Sequence, residues 1–133
     1  MTEATKPAIA FLGIGLMGMP MCRCLLKNGF RLSVWNRSPE KAEVLQEDGV
    51  IIASSPAVAV VDADVIITML SDGGAVEAVI FKQGVAEVIA GGATHIDMSS
   101  IGADEAMDHA KRHIQRGVHY LDAPVSGGTK GAT

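Results

Sequence analysis

A chain of 133 residues is long enough for one buried core and short for two. Hydrophobic residues make up 48% but aromatics only 4%, so the core must be built from Ala, Val, Ile, Leu and Met, as suits strands covered by helices on both faces. With 15 acidic against 11 basic residues the net charge is −4, and no stripe of Lys and Arg could follow a phosphate backbone, which argues against a nucleic-acid partner.

The longest apolar run, Ala8 to Met21, contains four Gly or Pro residues and is too short to span a bilayer. Met1 to Pro7 lacks the basic start of a signal peptide and reads as a flexible tail before a domain over 8–133. The expectation is a cytoplasmic protein with no membrane partner. Ala8 to Leu12 reads as a strand, Leu16 to Asn28 as a helix stopped by Gly29, and Arg31 to Trp35 as a second strand. Ser38-Pro39-Glu40 has the cap, first-turn proline and first-turn acid of a helix ending near Gly49. Val50 to Ala53 is a third strand, Ser55-Pro56 opens a short helix to Asp62, and Val65 to Leu70 is the most β-like run of all. Gly74 to Phe81 and Gly84 to Ala90 have helical spacing. Thr94 to Met98 is a fifth strand, Ala103 to Arg116 a helix closed by Gly117, and Val118 to Leu121 a sixth strand. Six strands alternating with helices predict an α/β fold with a doubly wound parallel sheet of the Rossmann type.

Gly13-Ile14-Gly15-Leu16-Met17-Gly18 fits G-x-G-x-x-G after a strand and at the opening of a helix, the context in which the pattern is informative. Its first glycine permits a tight turn, the second a close pyrophosphate, the third close packing of helix on strand. The competing explanation is packing alone, for which one glycine would suffice. After the second strand an NAD site places an Asp or Glu for the ribose 2′-hydroxyl, whereas this chain has Trp35-Asn36-Arg37-Ser38. No carboxylate there repels a 2′-phosphate, Asn36 can bond the ribose, and Arg37 offers a planar cation, so NADP is expected over NAD. Arg37 as a solvated loop residue and Ser38 as a plain helix cap remain the alternatives. Small or polar residues also follow the fourth, fifth and sixth strands, at Ser71, at Ser99-Ser100 and from Asp122 to Gly128. These loops would open on one crevice.

With these residues in place, the chain resembles the β-hydroxyacid dehydrogenase family, which includes 3-hydroxyisobutyrate dehydrogenases and glyoxylate/succinic semialdehyde reductases. The resemblance rests on "FLGIGLMGMPM", "VWNRS", "ITMLSD", "HIDMSS" and "LDAPVSGGTKGA". It implies that Gly13 to Gly18 hold a pyrophosphate, that Asn36 and Arg37 hold the adenosine ribose phosphate, and that Met69, Leu70 and Ser71 line the cofactor cleft. Ser100 would lie near the nicotinamide, and Ser126, Gly127 and Gly128 would bind the carboxylate of a short hydroxy acid or semialdehyde. Ser71 and Ser100 stand where many members have Pro and Thr. The resemblance also implies a homo-oligomer for the full-length protein. It places the general acid/base lysine beyond Thr133, near a helical second domain, so that no catalytic residue is expected within 1–133 and Lys130 does not match the position. A cofactor-binding or interaction module without chemistry is the alternative from another class.

Other polar residues suggest less. Cys22 and Cys24 lie two apart on a helix and so point to different faces. His109 and His113 share a helix face, read as solvated rather than metal-binding because no Glu follows His109 in the zinc-protease pattern. His95 and His119 flank strands without evident partners, Asp62 and Asp64 read as turn or capping residues, and Asp122 as a loop hydrogen-bond partner or a substrate contact.

Overall fold

The computed structural model describes residues 6–46 and 49–124. Six strands, β1 (Ala8–Leu12), β2 (Arg31–Trp35), β3 (Ile51–Ile52), β4 (Val65–Thr68), β5 (Thr94–Asp97) and β6 (His119–Asp122), form one sheet in the order β3-β2-β1-β4-β5-β6. Every pairing is parallel. The helices between them are α1 (Gly15–Lys27), α2 (Pro39–Glu43), α3 (Pro56–Val60), α4 (Gly73–Val76), α5 (Val85–Val88) and α6 (Ala103–Gln115). Among the described residues no helix is long and apolar enough to cross a membrane.

Strand alternation divides the core in two. On β1, Ile9 and Phe11 face a cluster with Cys22 of α1 and Ala42 and Leu45, while Ala10 and Leu12 face one built from α3, α4 and α5 through Val60, Val76 and Val85. Burial on both faces explains why β1 and β4 read as nearly unbroken apolar runs. The paired cysteines point apart as their spacing requires, Cys22 buried and Cys24 exposed. Asp64 caps the start of the sheet, its Oδ2 accepting the Ala8 N–H at 2.9 Å.

Several predicted boundaries move. The helix expected to reach Gly49 is regular only to Glu43, where an i→i+3 bond from Leu45 N–H to the Ala42 carbonyl tightens the chain and lets both side chains reach the core. The helix expected over 74–81 starts at Gly73 and widens into a π-helical turn at Glu77–Lys82. Its capping residue is Asp72, which accepts the Ala75 N–H. Ser38 stands at the N-cap of α2 without a side-chain cap bond.

The β1–α1 turn is set by close contact. Gly13 has φ +88°, and a Cβ there would stand 2.5 Å from Leu70 Cδ2 and 2.6 Å from the Met69 carbonyl oxygen. Gly18 lies under Phe11, where a Cβ would meet Cε1 at 3.1 Å. Gly13→Ala should therefore lower stability by about 1–3 kcal/mol from backbone strain alone, with more from the contact with Met69. The matched control is Gly92→Ala, because Gly92 has φ +90° and nothing lies within 4 Å of a Cβ there. Urea unfolding of both variants checks this, and equal midpoints would contradict the close-contact account.

Candidate cofactor site

Strand order reverses its direction of growth between β1 and β4, and the crevice at the carboxyl ends of those strands is the place where such sheets bind ligands. A cleft of about 420 Å³ lies there. Of the residues singled out in the sequence, Gly13, Ile14, Asn36, Arg37 and Ser38 line it on one side, and Met69, Leu70 and Ser71 on the other. Met17, Gly18 and Ser100 do not line this cleft, although Ser100 is exposed on the loop after β5. Gly18 instead serves the contact of α1 with Phe11. Ser126, Gly127 and Gly128 lie outside the described residues.

Hydrogen bonds fix the cleft's base. Gly13 N–H donates to the Trp35 carbonyl at 2.8 Å, and Ile14 N–H donates to Asn36 Oδ1 at 2.9 Å. The Asn36 amide in turn donates to the Ser38 carbonyl at 3.0 Å, so this side chain ties the glycine turn to the β2–α2 loop. The 13-residue helix α1 starts at the cleft with no side-chain cap and no acid in its first turn. Its first-turn N–H groups have no intrahelical acceptors, and the dipole is not offset by a carboxylate. That arrangement fits an anion such as a pyrophosphate.

Two polar lining residues were not singled out from the sequence. Lys41, four residues after Arg37 and on α2, adds a second cation, and Gln83 closes the side formed by Ala75, Ala78 and Val79. The signal for Lys41 was its place in the first turn of the helix predicted to follow Arg37. No Asp or Glu is among the described residues that line the cleft.

The histidines depart most from the sequence reading. His109 and His113 are 2% and 0% exposed rather than solvated, and His95 lies within β5, fully buried. The reason is the composition of α6, whose sheet-facing stripe is Ala106, His109 and His113, while the larger apolar residues Met107 and Ile114 face outward. Phe81 of the π-helical turn packs on both rings, with centroids at 5.1 and 5.4 Å, and Tyr120 packs on His95 and His113. His95 Nδ1 lies 2.9 Å from His113 Nε2, and His95 Nε2 lies 2.8 Å from Thr68 Oγ1. Thr68 gives its one proton to Asp97 Oδ1 at 2.9 Å, so it must accept from His95 Nε2–H. His95 Nδ1 must then accept from His113 Nε2–H. Glu77, Asp108 and His109 bring ligand-type atoms within 4.8 Å of one another, but the Arg112 guanidinium already bonds Glu77 at 2.6 and 2.8 Å and Asp108 at 2.6 Å. Its hydrogen bonds hold the Glu77 carboxyl below its ordinary range.

The elements above describe a dinucleotide-binding domain of the Rossmann type. The family described as the NAD binding domain of 6-phosphogluconate dehydrogenase matches residues 8–133, and the chain belongs to it. It is 40% identical over 125 residues to glyoxylate/succinic semialdehyde reductase 1 of Arabidopsis thaliana, covering 93% of this chain and 43% of that protein. The solved structure of 3-hydroxyisobutyrate dehydrogenase from Mycobacterium tuberculosis with L-serine superposes with TM-score 0.88 at 37% identity, over 96% of this chain and 43% of that one. A structure of Psf3 in complex with NADP+ and 2-OPP superposes with TM-score 0.86 at 30% identity, over 93% of this chain and 44% of the other. The chain thus spans less than half the length of these relatives.

Burial holds His113 down to about 4 from 6.5, helped by His109, Arg116 and Arg112. It holds His95 well below 6.5 too, with His113 and His109 adding to the effect. The unfolded chain therefore takes up protons first as pH falls. Stability should be complete above pH 6.5 and drop from there toward pH 4, the range set by the unfolded and folded values of His113. Urea midpoints between pH 7 and about 5, where ordinary carboxylates stay ionised, check this. His113→Gln, which can still donate to His95, should flatten the slope, and a parent midpoint flat over that range would contradict the buried neutral histidines.

Proposed function

We propose that the chain is the NADP-binding part of an oxidoreductase that interconverts a short 3-hydroxy acid and its semialdehyde, in the manner of a 3-hydroxyisobutyrate dehydrogenase. The observation that carries the cofactor choice is the pair Arg37 and Lys41 on a cleft with no Asp or Glu among its described lining residues. An acid at the end of β2 would bond a 2′-hydroxyl and repel a 2′-phosphate, whereas two cations favour the phosphate. Psf3, similar in fold and 30% identical, binds NADP+, which supports the same choice. NAD is the weaker ligand in this reading.

When bound, the cofactor supplies hydride to a carbonyl carbon or accepts it from the corresponding alcohol. The residues of this chain bind and orient it. The glycine turn from Gly13 to Gly18 takes the pyrophosphate at the N-terminus of α1, through the first-turn N–H groups that no intrahelical acceptor uses, and Gly15 leaves room for that approach. Asn36 holds the turn in place and offers its remaining N–H toward the ribose. Arg37, Ser38 and Lys41 take the 2′-phosphate. Met69, Leu70 and Ser71 would form one wall of the cofactor site, and Ser100, on the loop after β5, would stand near the nicotinamide. We assign Ser126, Gly127 and Gly128 to the substrate carboxylate, since glycines permit a close backbone approach to an anion. The group that exchanges a proton with the alcohol oxygen is assigned to a lysine beyond Thr133, and without such a group the rate falls by about 10²- to 10⁴-fold.

Titration of the full-length protein with NADPH and NADH tests the reading. NADPH should bind more tightly, and Arg37→Ala should raise its Kd about 10- to 100-fold, as for a lost charge-assisted contact. Lys41→Ala should act in the same direction, and neither change should much alter the Kd for NADH. Equal affinity of the parent protein for the two cofactors would contradict the proposal.

A further inference from the structure

Behind the cleft, one face of the sheet turns from apolar to polar. Along the paired positions Leu12, Thr68, Asp97 and Asp122, the side chain changes from hydrocarbon to hydroxyl to carboxylate. Asp97 is fully buried. Its Oδ1 accepts from Thr68 Oγ1 at 2.9 Å and from Ser99 N–H at 3.0 Å, and its Oδ2 accepts from the Tyr120 hydroxyl at 3.2 Å. Because Thr68 receives the proton of His95 and His95 that of His113, the donors of the whole chain point toward Asp97. The carboxylate is thereby fixed from β4, β6 and its own loop.

The fixed carboxylate reaches the cleft through Ser99. This residue is 1% exposed, and its Oγ accepts the Leu70 N–H at 2.8 Å. Leu70 and Met69 are the residues pressed against Gly13, and their loop is the cleft wall opposite Arg37. We propose that Asp97 and Ser99 are positioning residues for dinucleotide binding, holding the Met69–Ser71 wall at the distance from the glycine turn that the cofactor requires. The inference rests on the cleft being the cofactor site. Neither residue lines the cleft, so each acts through Leu70 rather than by contact.

Substitutions at Ser99 and Thr68 of the full-length protein test it. Ser99→Ala leaves Leu70 N–H without its acceptor, and the Kd and KM for NADPH should rise about five- to tenfold, with kcat at saturating cofactor within about twofold of the parent. Thr68→Val keeps the side-chain shape but removes the hydroxyl that anchors Asp97, and should raise the same two constants. Thr68→Ser keeps the hydroxyl and should restore them. If Ser99→Ala does not fold, the near-isosteric Ser99→Cys, with its weaker acceptor, should give an intermediate rise. A network that serves stability alone would lower the urea midpoints of Ser99→Ala and Thr68→Val and leave Kd and KM at parent values, which overturns the proposal while the cofactor reading stands. A parent protein that binds neither NADPH nor NADH overturns both.

Discussion

The Gly13 backbone passes so close to Met69 and Leu70 that no side chain could stand between them, with 2.6 Å from a Cβ position to the Met69 carbonyl oxygen. That contact brings the carboxyl ends of β1 and β4 together where the strand order reverses. With the Gly13 N–H bonded to Trp35, it also joins the end of β2 to the same point. The rest of the site depends on it. The N-terminus of α1 opens at the cleft because the turn after β1 is short, and the loops after β2 and β4 become its two walls. A left-handed glycine at this one position thus converts a sheet edge into a site where backbone N–H groups can meet an anion.

A second arrangement supports the first. Parallel sheets of this kind are usually apolar on both faces, and here one face gives way to polar groups at β5 and β6. Burying His95, Asp97, His109 and His113 would be costly if they were unpaired. His95 and His113 bond each other, and Thr68, Ser99 and Tyr120 satisfy the rest of His95 and Asp97, while His109 Nδ1 and His113 Nδ1 have no hydrogen-bond partner among the described residues. In return the region is held by directional bonds, which define distances more narrowly than methyl groups packed together.

Much of this was legible in the sequence. All six strands, the parallel alternation and the glycine turn follow from apolar runs punctuated by Gly, Pro and Ser, because these signals are local. Arg37 and Ser71 were found through their positions after strands, and Met69 and Leu70 through the resemblance of "ITMLSD" to a family signature; the structure brings all four to one cleft. What escaped were consequences of tertiary packing. His109 and His113 have the spacing of a polar helix face, and only the neighbours Phe81, His95 and Tyr120 make that face an interior one. The π-helical turn that delivers Phe81 has no periodicity signal of its own. Lys41 was readable as a first-turn residue of α2, but its membership of the cleft depends on the angle at which that helix leaves β2.

The proposed function requires that the crevice between β1 and β4 bind a dinucleotide by its backbone N–H groups. Amide chemical shifts of the isotopically labelled full-length protein, followed during titration with NADPH, test it most directly. The largest changes should fall on Gly13 to Met17, Arg37 to Lys41 and Met69 to Ser71, with little change at Ser33 and Asp62, which line a cavity at the opposite end of the strands. Changes centred on that opposite cavity, or none at Gly13 to Met17 on saturation, would contradict it.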